Sequence, residues 1–212
     1  MKQIAIFGAG GFGREVKMLI DQINAVEKIW EFIGYFDDDF THAKVPAKEQ
    51  LGGMERLNAH EEQLFLVLAI GNPVVKRKIH SKITNAKIQY PTLIHPNVVA
   101  GTSNVSIGEG CIICAGNILT VDLRIGNHVI LNLACTVGHD TIIGNYCSFM
   151  PGVNISGEVD IKEAVYVGTG AKIINQLEIG LNTIVGAGAV VSKSLPENCT
   201  AVGIPAKPIK FH

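Results

Sequence analysis

A histidine and a carboxylate stand side by side in the segment Val137-Gly138-His139-Asp140, inside a stretch that otherwise carries no charged side chain. Histidine is the side chain best suited to accept a proton near neutral pH, and a neighbouring carboxylate can orient its ring. Adjacent side chains rarely meet in an extended strand, so direct contact requires the chain to turn here. The pair therefore predicts a general base at a corner; the alternative is an exposed, inert histidine.

A second set of residues, near the amino terminus, favours phosphate and ribose binding. The segment GAGGFG fits G-x-G-x-x-G through Gly8, Gly10 and Gly13, between an apolar segment and a helical pattern. Backbone N–H groups at such a helix start attract phosphate, and carboxylates after the next strand, here Asp37 and Asp38, commonly accept from ribose hydroxyls. We interpret this edge as a nucleotide or nucleotide-sugar pocket; the alternative is a tight turn without a ligand. NAD is disfavoured, because the second half of a dinucleotide fold is missing.

The amino-terminal residues predict alternating strands and helices. Apolar segments at residues 2–7, 32–36, 64–70 and 87–90 are typical of strands, and helical spacing follows both the glycine turn and Pro73. The third segment ends on Gly71 and Asn72, so it adds a further strand end to the pocket. We expect residues 1–90 to form an α/β, Rossmann-like half-domain.

A period of six residues organises the rest of the chain. Each hexapeptide is typical of one short strand and a corner of a parallel β-helix, with three hexapeptides to a turn. Glycine follows seven of the apolar positions, and we expect it to permit the corners. Residues 91–212 are therefore predicted to form an all-β prism of about five turns and a tail. The apolar positions are Ile107, Ile113, Leu119, Ile125, Leu131, Val137, Ile143, Phe149, Ile155, Ile161, Val167, Ile173, Ile179, Val185 and Val191.

The same repeat argues against a metal. Residues eighteen apart stack on one face, and neither His139 nor His128 has a histidine at that distance, so no metal site is expected within one subunit. Three cysteines, Cys111, Cys135 and Cys147, are expected to be small core residues of the prism, and no covalent nucleophile is indicated. We interpret the remaining histidines as surface or structural residues: His42, His60, His80, His95, His128 and His212.

Composition excludes several classes of function. The net charge is −1, which gives no reason to expect nucleic-acid binding. No apolar run has transmembrane length and no signal peptide is recognisable, so we expect a cytoplasmic protein with reduced cysteines and no membrane partner.

The chain resembles the bacterial sugar acyltransferases of the sialic acid O-acetyltransferase (NeuD) and PglD type. The resemblance rests on GAGGFG, GYFDDD, AIGNPVVKRK, the hexapeptide array, the GHD corner and the VGIPAKPIK tail. It implies a left-handed β-helix, a homotrimer, acetyl-CoA bound between adjacent prisms and a UDP-linked amino sugar as acceptor. It also implies roles for individual residues, with His139 as base beside Asp140. Relatives often have histidine at the positions of Phe12 and Ser148. The sugar positions are Gly10, Gly11, Phe12, Asp37, Asp38 and Gly71, and the CoA positions are Ser148, Gly157, Thr169 and Ala187.

The leading hypothesis from the sequence is an acetyl-CoA-dependent N-acetyltransferase acting on a UDP-linked amino sugar, with direct transfer and His139 as general base. A close alternative is O-acetylation of a sialic acid or related sugar, because one base serves both nucleophiles. A third possibility is a non-catalytic, nucleotide-sugar-binding trimeric scaffold. A metalloenzyme similar to the γ-carbonic anhydrases is disfavoured by the missing histidine stack.

Overall fold

The structure is a computed structural model that describes residues 1–41 and 43–212. Its amino-terminal unit is a five-stranded parallel sheet with helices on its faces, in the order β3-β2-β1-β4-β5. The order reverses between β1 and β4, which are neighbours in the sheet. The elements are β1 (Lys2–Phe7), α1 (Gly11–Val26), β2 (Trp30–Phe36), a 3-10 turn (Ala47–Glu49), β3 (Gln50–Gly52), α2 (Met54–Asn58), β4 (Leu64–Leu68), α3 (Pro73–Lys82) and β5 (Ile88–Gln89).

The predicted apolar segments all form strands of this sheet, and the helix after the glycine turn buries the side chains at its predicted helical spacing. Two elements were not predicted. Strand β3 has three residues and α2 has five, too few for either to show a period of its own. Among the described residues, no helix combines the length and the apolar character needed to cross a bilayer.

The second unit is a three-sided left-handed prism of parallel strands, as predicted, and its last strand, residues 206–211, pairs antiparallel with the strand before it. Its eight-stranded face contains β6 (Leu93–Ile94), β9 (Ile112–Ile113), β12 (Ile130–Leu131), β15 (Ser148–Phe149), β18 (Tyr166–Val167), β21 (Ile184–Val185), β23 (Cys199–Gly203) and β24 (Ala206–Phe211). Its six-stranded face contains β7 (Val99–Ala100), β10 (Ile118–Leu119), β13 (Thr136–Val137), β16 (Asn154–Ile155), β19 (Lys172–Ile173) and β22 (Val190–Val191). Its five-stranded face contains β8 (Val105–Ile107), β11 (Leu123–Ile125), β14 (Ile142–Ile143), β17 (Asp160–Ile161) and β20 (Glu178–Ile179).

The apolar repeat fills the centre of this prism. Strands pair with a register of eighteen residues, so Val137 lies between Leu119 below and Ile155 above. Of the fifteen repeat positions, Ile107 is partly buried at the open end and the others are buried in one continuous cluster. Stacking identical registers in this way removes a column of aliphatic side chains from water on each face, which stabilises the prism.

The glycines of the repeat were expected to permit the corners, but the structure gives them a different role. None of the seven glycines that directly follow an inward residue has a positive φ; the positive φ falls two residues later, at every corner from residue 110 to residue 188. A Cβ at Gly138 would lie 2.5 Å from the backbone N of Gly157, and one at Gly144 would lie 2.7 Å from that of Glu163. These glycines are therefore needed because successive turns approach each other closely.

The amino-terminal unit covers the eight-stranded face of the prism. Helix α1 shares an apolar cluster with Leu93, Ile112, Cys114 and Ile130, which point outward from that face. Helix α3 lies on the same face at higher turns, where its side chains reach β15 and the neighbouring corner. The described residues of the amino-terminal unit do not cover the other two faces in this way.

Candidate active site

His139 and Asp140 occupy a corner between the six-stranded and five-stranded faces. His139 Nδ1 lies 2.8 Å from Asp140 Oδ2, and both side chains are 57% exposed. The two neighbours can meet because Asp140 has a φ of +58°, which turns the chain after the histidine. Aspartate adopts this conformation more readily than most residues, so the corner accepts a carboxylate without a glycine.

Gly157 lies one turn above His139 and makes room for its ring. A Cβ at residue 157 would lie between 2.5 and 2.8 Å from three atoms of the imidazole, the nearest being Nε2. The ring therefore rests against the backbone of the next turn, which restricts its orientation. Gly157 itself is buried. It limits the space available to the ring and does not line an open channel.

This arrangement suits a general base. With Nδ1 as donor to Asp140, the carboxylate holds the imidazole in the tautomer whose Nε2 carries the lone pair. Nε2 has no hydrogen-bond partner among the described residues and belongs to an exposed side chain, so an acceptor group can approach it. A groove of about 740 Å³ runs beside the corner along the five-stranded face, lined in part by Asp140, Arg124 and Ile142.

The glycine turn and the strand ends form the second candidate region. Asp37 Oδ2 accepts from the N–H of Ala9 at 2.7 Å, and its Oδ1 accepts from the N–H of Asp39 at 3.1 Å. Asp37 therefore ties the end of β2 to the glycine turn after β1. Gly13 allows α1 to approach the carbonyl oxygen of Gly8, where any side chain would collide.

The other predicted sugar positions surround this turn. Gly10 and Gly11 are exposed with open space beside them, and Gly71 has no atom within 4 Å of a would-be Cβ. Asp38 is exposed, and its Oδ1 accepts from the N–H of Met54 at 2.7 Å. Phe12 is half-buried and packs against the cluster beneath α1. Because the strand order reverses between β1 and β4, this open edge lies where ligands of parallel sheets bind.

The predicted CoA positions do not form one surface within the chain. Thr169 and Ala187 are exposed and lie one above the other, at the corner between the eight-stranded and six-stranded faces. That is a different corner from the one that carries His139 and Gly157.

The expectation for Ser148 is corrected by its position. Its side chain points from β15 into the contact with α3, is fully buried, and accepts a hydrogen bond of 2.9 Å from Lys76 Nζ. A hydroxyl buried in this position does not line an open channel.

The base and the sugar edge of one chain lie on opposite sides of the prism. The amino-terminal unit covers the eight-stranded face, and in a three-sided prism the corner opposite that face is the one between the other two, where His139 lies. Residues Asn72 and Val74 line a groove of about 290 Å³ against Tyr166 and Ile184 of the eight-stranded face, far from that corner. The two candidate regions of a single chain are therefore not brought together.

Sequence reasoning missed a cluster of titratable side chains between the two units. The rings of His80, Tyr90, His128 and Tyr146 pack together, with His128 stacked on Tyr146. Burial lowers the pKa of His128 to about 3 and also lowers that of His80. Lys76 lies beside this cluster, and burial lowers its pKa to about 7. The only signal was the eighteen-residue spacing of His128 and Tyr146, which predicts a stack but no partner from α3.

The structure gives no support to a metal centre in the part of the chain that it describes, where His, Cys, Asp and Glu side chains form no group of three suited to an ion. His42 lies outside the described residues. The five cysteines are buried and unpaired, in agreement with a role as small core residues.

Known proteins match the amino-terminal unit separately and the chain over almost its whole length. The family profile of the PglD N-terminal domain matches residues 3–83. GDP-perosamine N-acetyltransferase of Escherichia coli O157:H7 is 33% identical over an alignment of 217 positions that covers 99% of this chain and 97% of that protein.

Solved structures agree over almost the whole chain. PerB from Caulobacter crescentus, in complex with CoA and GDP-perosamine, is 32% identical with a TM-score of 0.85 and covers 99% of this chain and 98% of its own. The acetyltransferase domain of PglB from Neisseria gonorrhoeae is 30% identical with a TM-score of 0.87 and covers 99% of this chain and all of its own. Full-length similarity at this level, together with the two-unit architecture and the exposed histidine–aspartate corner, shows that the chain belongs to the PglD/NeuD-type family of sugar acetyltransferases.

Proposed function

We propose that this protein transfers the acetyl group of acetyl-CoA to the amino group of a sugar carried on a nucleoside diphosphate. The observation that carries the proposal is the exposed His139–Asp140 pair, with Nδ1 bound to the carboxylate and Nε2 left to the substrate. The substrate class is supported by relatives that match over almost the whole chain, since one is named a GDP-perosamine N-acetyltransferase and another binds CoA and GDP-perosamine.

The proposed reaction is a direct transfer. Nε2 of His139 removes a proton from the acceptor amine as its nitrogen attacks the thioester carbonyl, which gives a tetrahedral intermediate with negative charge on oxygen. The intermediate collapses, the carbon–sulfur bond breaks, and CoA leaves as the thiolate, which takes the proton held by His139. Asp140 stabilises the imidazolium between these two steps. The products are the N-acetylated sugar nucleotide and CoA.

The sugar nucleotide is proposed to bind at the open edge after β1, β2 and β4. Gly10 and Gly11 leave the backbone N–H groups at the start of α1 open to phosphate, and Asp38 presents an exposed carboxylate to a ribose or base. The family resemblance implies a uridine nucleotide, whereas two of the named relatives are described with GDP-perosamine. We therefore propose the class of nucleoside-diphosphate amino sugars, and GDP-perosamine is the first acceptor to test.

A homotrimer is part of the same proposal. It is supported by the positions of His139 and of the sugar edge on opposite sides of one prism, and by the two corners that hold Gly157 and Thr169. In a closed trimer, one corner of each prism meets a different corner of the next, so acetyl-CoA would lie between them beside Thr169 and Ala187. A cytoplasmic location remains a prediction from the sequence.

The experiment that tests the function is release of the CoA thiol from acetyl-CoA with a panel of acceptors: GDP-perosamine, a UDP-linked amino sugar and free sialic acid. We expect release with a nucleotide amino sugar, and a loss of about 10²- to 10⁴-fold in kcat for His139→Ala, the usual contribution of a general base. Asp140→Asn should reduce kcat as well, because an amide no longer selects the productive tautomer.

Glu158→Gln is the matched control, since Glu158 has a positive φ at the same corner one turn above and its side chain bonds to Gln176. Its activity should equal that of the wild type. Thiol release only with a hydroxyl acceptor would replace N-acetylation by O-acetylation. Equal release by the wild type and His139→Ala would show that His139 is not the base.

A further inference from the structure

Lys76 places an amine inside the contact between the two units. Its side chain is 1% exposed, and Nζ donates to Ser148 Oγ at 2.9 Å and to the carbonyl oxygen of Cys147 at 3.3 Å. No carboxylate of the described residues lies within ion-pair distance of Nζ. Both hydrogen-bond acceptors belong to the prism, so the amine joins α3 directly to the eight-stranded face.

Burying an amine in this position costs more free energy than burying an apolar side chain. Burying an ammonium group without a counter-ion costs several kcal/mol in general, and an apolar side chain of similar length would pack at less cost. What the amine adds is direction, because two hydrogen bonds to fixed acceptors define where the helix lies along the face. An apolar contact tolerates sliding and does not define it in this way.

The part of the molecule held by Lys76 is the start of α3. The N–H of Lys76 donates to the carbonyl oxygen of Asn72 at 2.9 Å, and the Asn72 side chain accepts from the N–H of Val75 at 3.0 Å. Pro73 stiffens the same turn. Gly71 and Asn72 therefore move with Lys76 as one piece, and this piece is the strand end where the sugar nucleotide is proposed to bind.

The other polar contacts of α3 with the prism are more exposed. Arg77 pairs with Glu163 at 2.7 Å, but both side chains are more than one-third exposed, and such pairs contribute little. The His80 ring and the Tyr146 hydroxyl lie 2.7 Å apart at the edge of the aromatic cluster. Among these three polar contacts, the one made by Lys76 is the buried one.

We propose that Lys76 is a positioning residue for the sugar nucleotide: its bonds to β15 hold the Gly71–Asn72 strand end against the prism in the arrangement that binds the acceptor. This inference rests on the proposed function, since it assigns the positioned edge to the acceptor. The proposal predicts an effect on binding of the sugar nucleotide and none on binding of acetyl-CoA, because the proposed acetyl-CoA positions Thr169 and Ala187 lie on the prism and do not depend on α3.

The test compares Lys76→Met, Ser148→Ala and their combination with the wild type. Methionine keeps the length of the side chain and removes the amine, whereas Ser148→Ala keeps the amine and removes one acceptor. Lys78→Met is the matched control, because Lys78 is an exposed lysine of the same helix. Affinities for GDP-perosamine, a UDP-linked amino sugar and CoA are measured separately by calorimetry, and KM is measured for both substrates.

We expect Lys76→Met to weaken binding of the sugar nucleotide about tenfold, a loss comparable to that of one buried hydrogen bond, with the affinity for CoA unchanged. Ser148→Ala should act in the same direction by a smaller factor. The double variant should be no weaker than Lys76→Met, because both changes remove the same bond. Lys78→Met should bind both ligands like the wild type.

The proposal is overturned if the variants bind the sugar nucleotide like the wild type, or if they lose sugar nucleotide and CoA to the same degree, as general destabilisation would cause. If Lys76→Met does not fold, Ser148→Ala decides alone, since it leaves the buried amine in place. A wild type that binds CoA but neither sugar nucleotide would overturn the proposed function, and this inference with it. A wild type that binds a sugar nucleotide, with variants that bind it equally well, would overturn this inference alone.

Discussion

At the scale of single residues, the position of the candidate base depends on a glycine, Gly157. His139 gains its orientation from two neighbours: Asp140, which bonds to Nδ1, and Gly157, whose backbone in the next turn packs against the ring. The carboxylate alone leaves the ring free to swing about the corner, and the stacked backbone removes that freedom. Preorganisation of this kind is worth much in catalysis, since a misplacement of about 1 Å can reduce a rate about 10²-fold.

Gly157→Ala tests this at the residue scale. The new Cβ would lie 2.5–2.8 Å from the imidazole, so the ring must move away. We expect kcat to fall about 10- to 100-fold while the thermal midpoint changes little, because the ring is exposed and can move into solvent. Thiol release and calorimetric melting measure the two quantities. Ser156→Ala, an exposed neighbour, is the control and should keep full activity; a fully active Gly157→Ala would show that the ring position is not limiting.

At the scale of elements, the hexapeptide uses its glycines in two ways. Gly144 lies directly after an inward residue and faces the backbone of the next turn, whereas Gly152 lies at a corner with a φ of +69° and free space around it. The first position needs glycine for close approach, and the second needs only a tolerated backbone conformation. Several corners carry other residues at the second position, among them His128 and Tyr146.

Alanine substitutions separate these two uses. Gly152→Ala should lower the free energy of unfolding by only about 1 kcal/mol, the usual cost of placing an L-residue in the left-handed region. Gly144→Ala should lower it by about 2–3 kcal/mol or more, because the turns must be forced apart. Urea unfolding followed by circular dichroism provides both values. Equal losses at the two positions would contradict the close-approach explanation.

The docking of α3 also predicts a dependence of stability on pH. Burial lowers the pKa of Lys76 from 10.5 to about 7, so between these values the unfolded chain holds a proton that the folded protein releases. The contribution of Lys76 to the free energy of unfolding therefore rises with pH in this window, by at most about 1.4 kcal/mol per pH unit. The buried thiols have raised pKa values and act in the opposite direction at higher pH, but they are common to wild type and variant.

Comparing Lys76→Met with the wild type isolates this effect. The difference in unfolding free energy between variant and wild type should change by about 1 kcal/mol in favour of the wild type between pH 7.5 and 8.5. Urea titrations at the two pH values measure it, and Lys78→Met should follow the wild type at both. Parallel curves for Lys76→Met and the wild type would show that the buried amine keeps its ordinary pKa.

At the scale of the whole molecule, the repeat made the prism predictable, because a register of eighteen residues forces every sixth side chain into one core. The glycine turn, Asp37 and Gly71 could be predicted at one sheet edge, since parallel strand ends meet there. The contact between the units could not. Lys76 reads as a solvated residue of a charged helix and Ser148 as an outward residue of a strand, and only the packing of one unit on the other buries both. No local pattern records that contact.

The separation of the two candidate regions leads to a prediction about assembly. If one chain supplies the sugar edge and another supplies His139, two inactive variants should complement each other in mixed oligomers. His139→Ala retains the sugar edge, and Gly71→Val retains the base but places a branched side chain where a ligand would lie. Random mixing by co-expression should restore about a quarter of wild-type activity, since each site then needs an intact contribution from both chains. The control pairs His139→Ala with a chain that carries both changes and should stay inactive. Failure of the first mixture to recover, while both variants still form oligomers, would mean that base and sugar edge act within one chain, against their positions on opposite sides of the prism.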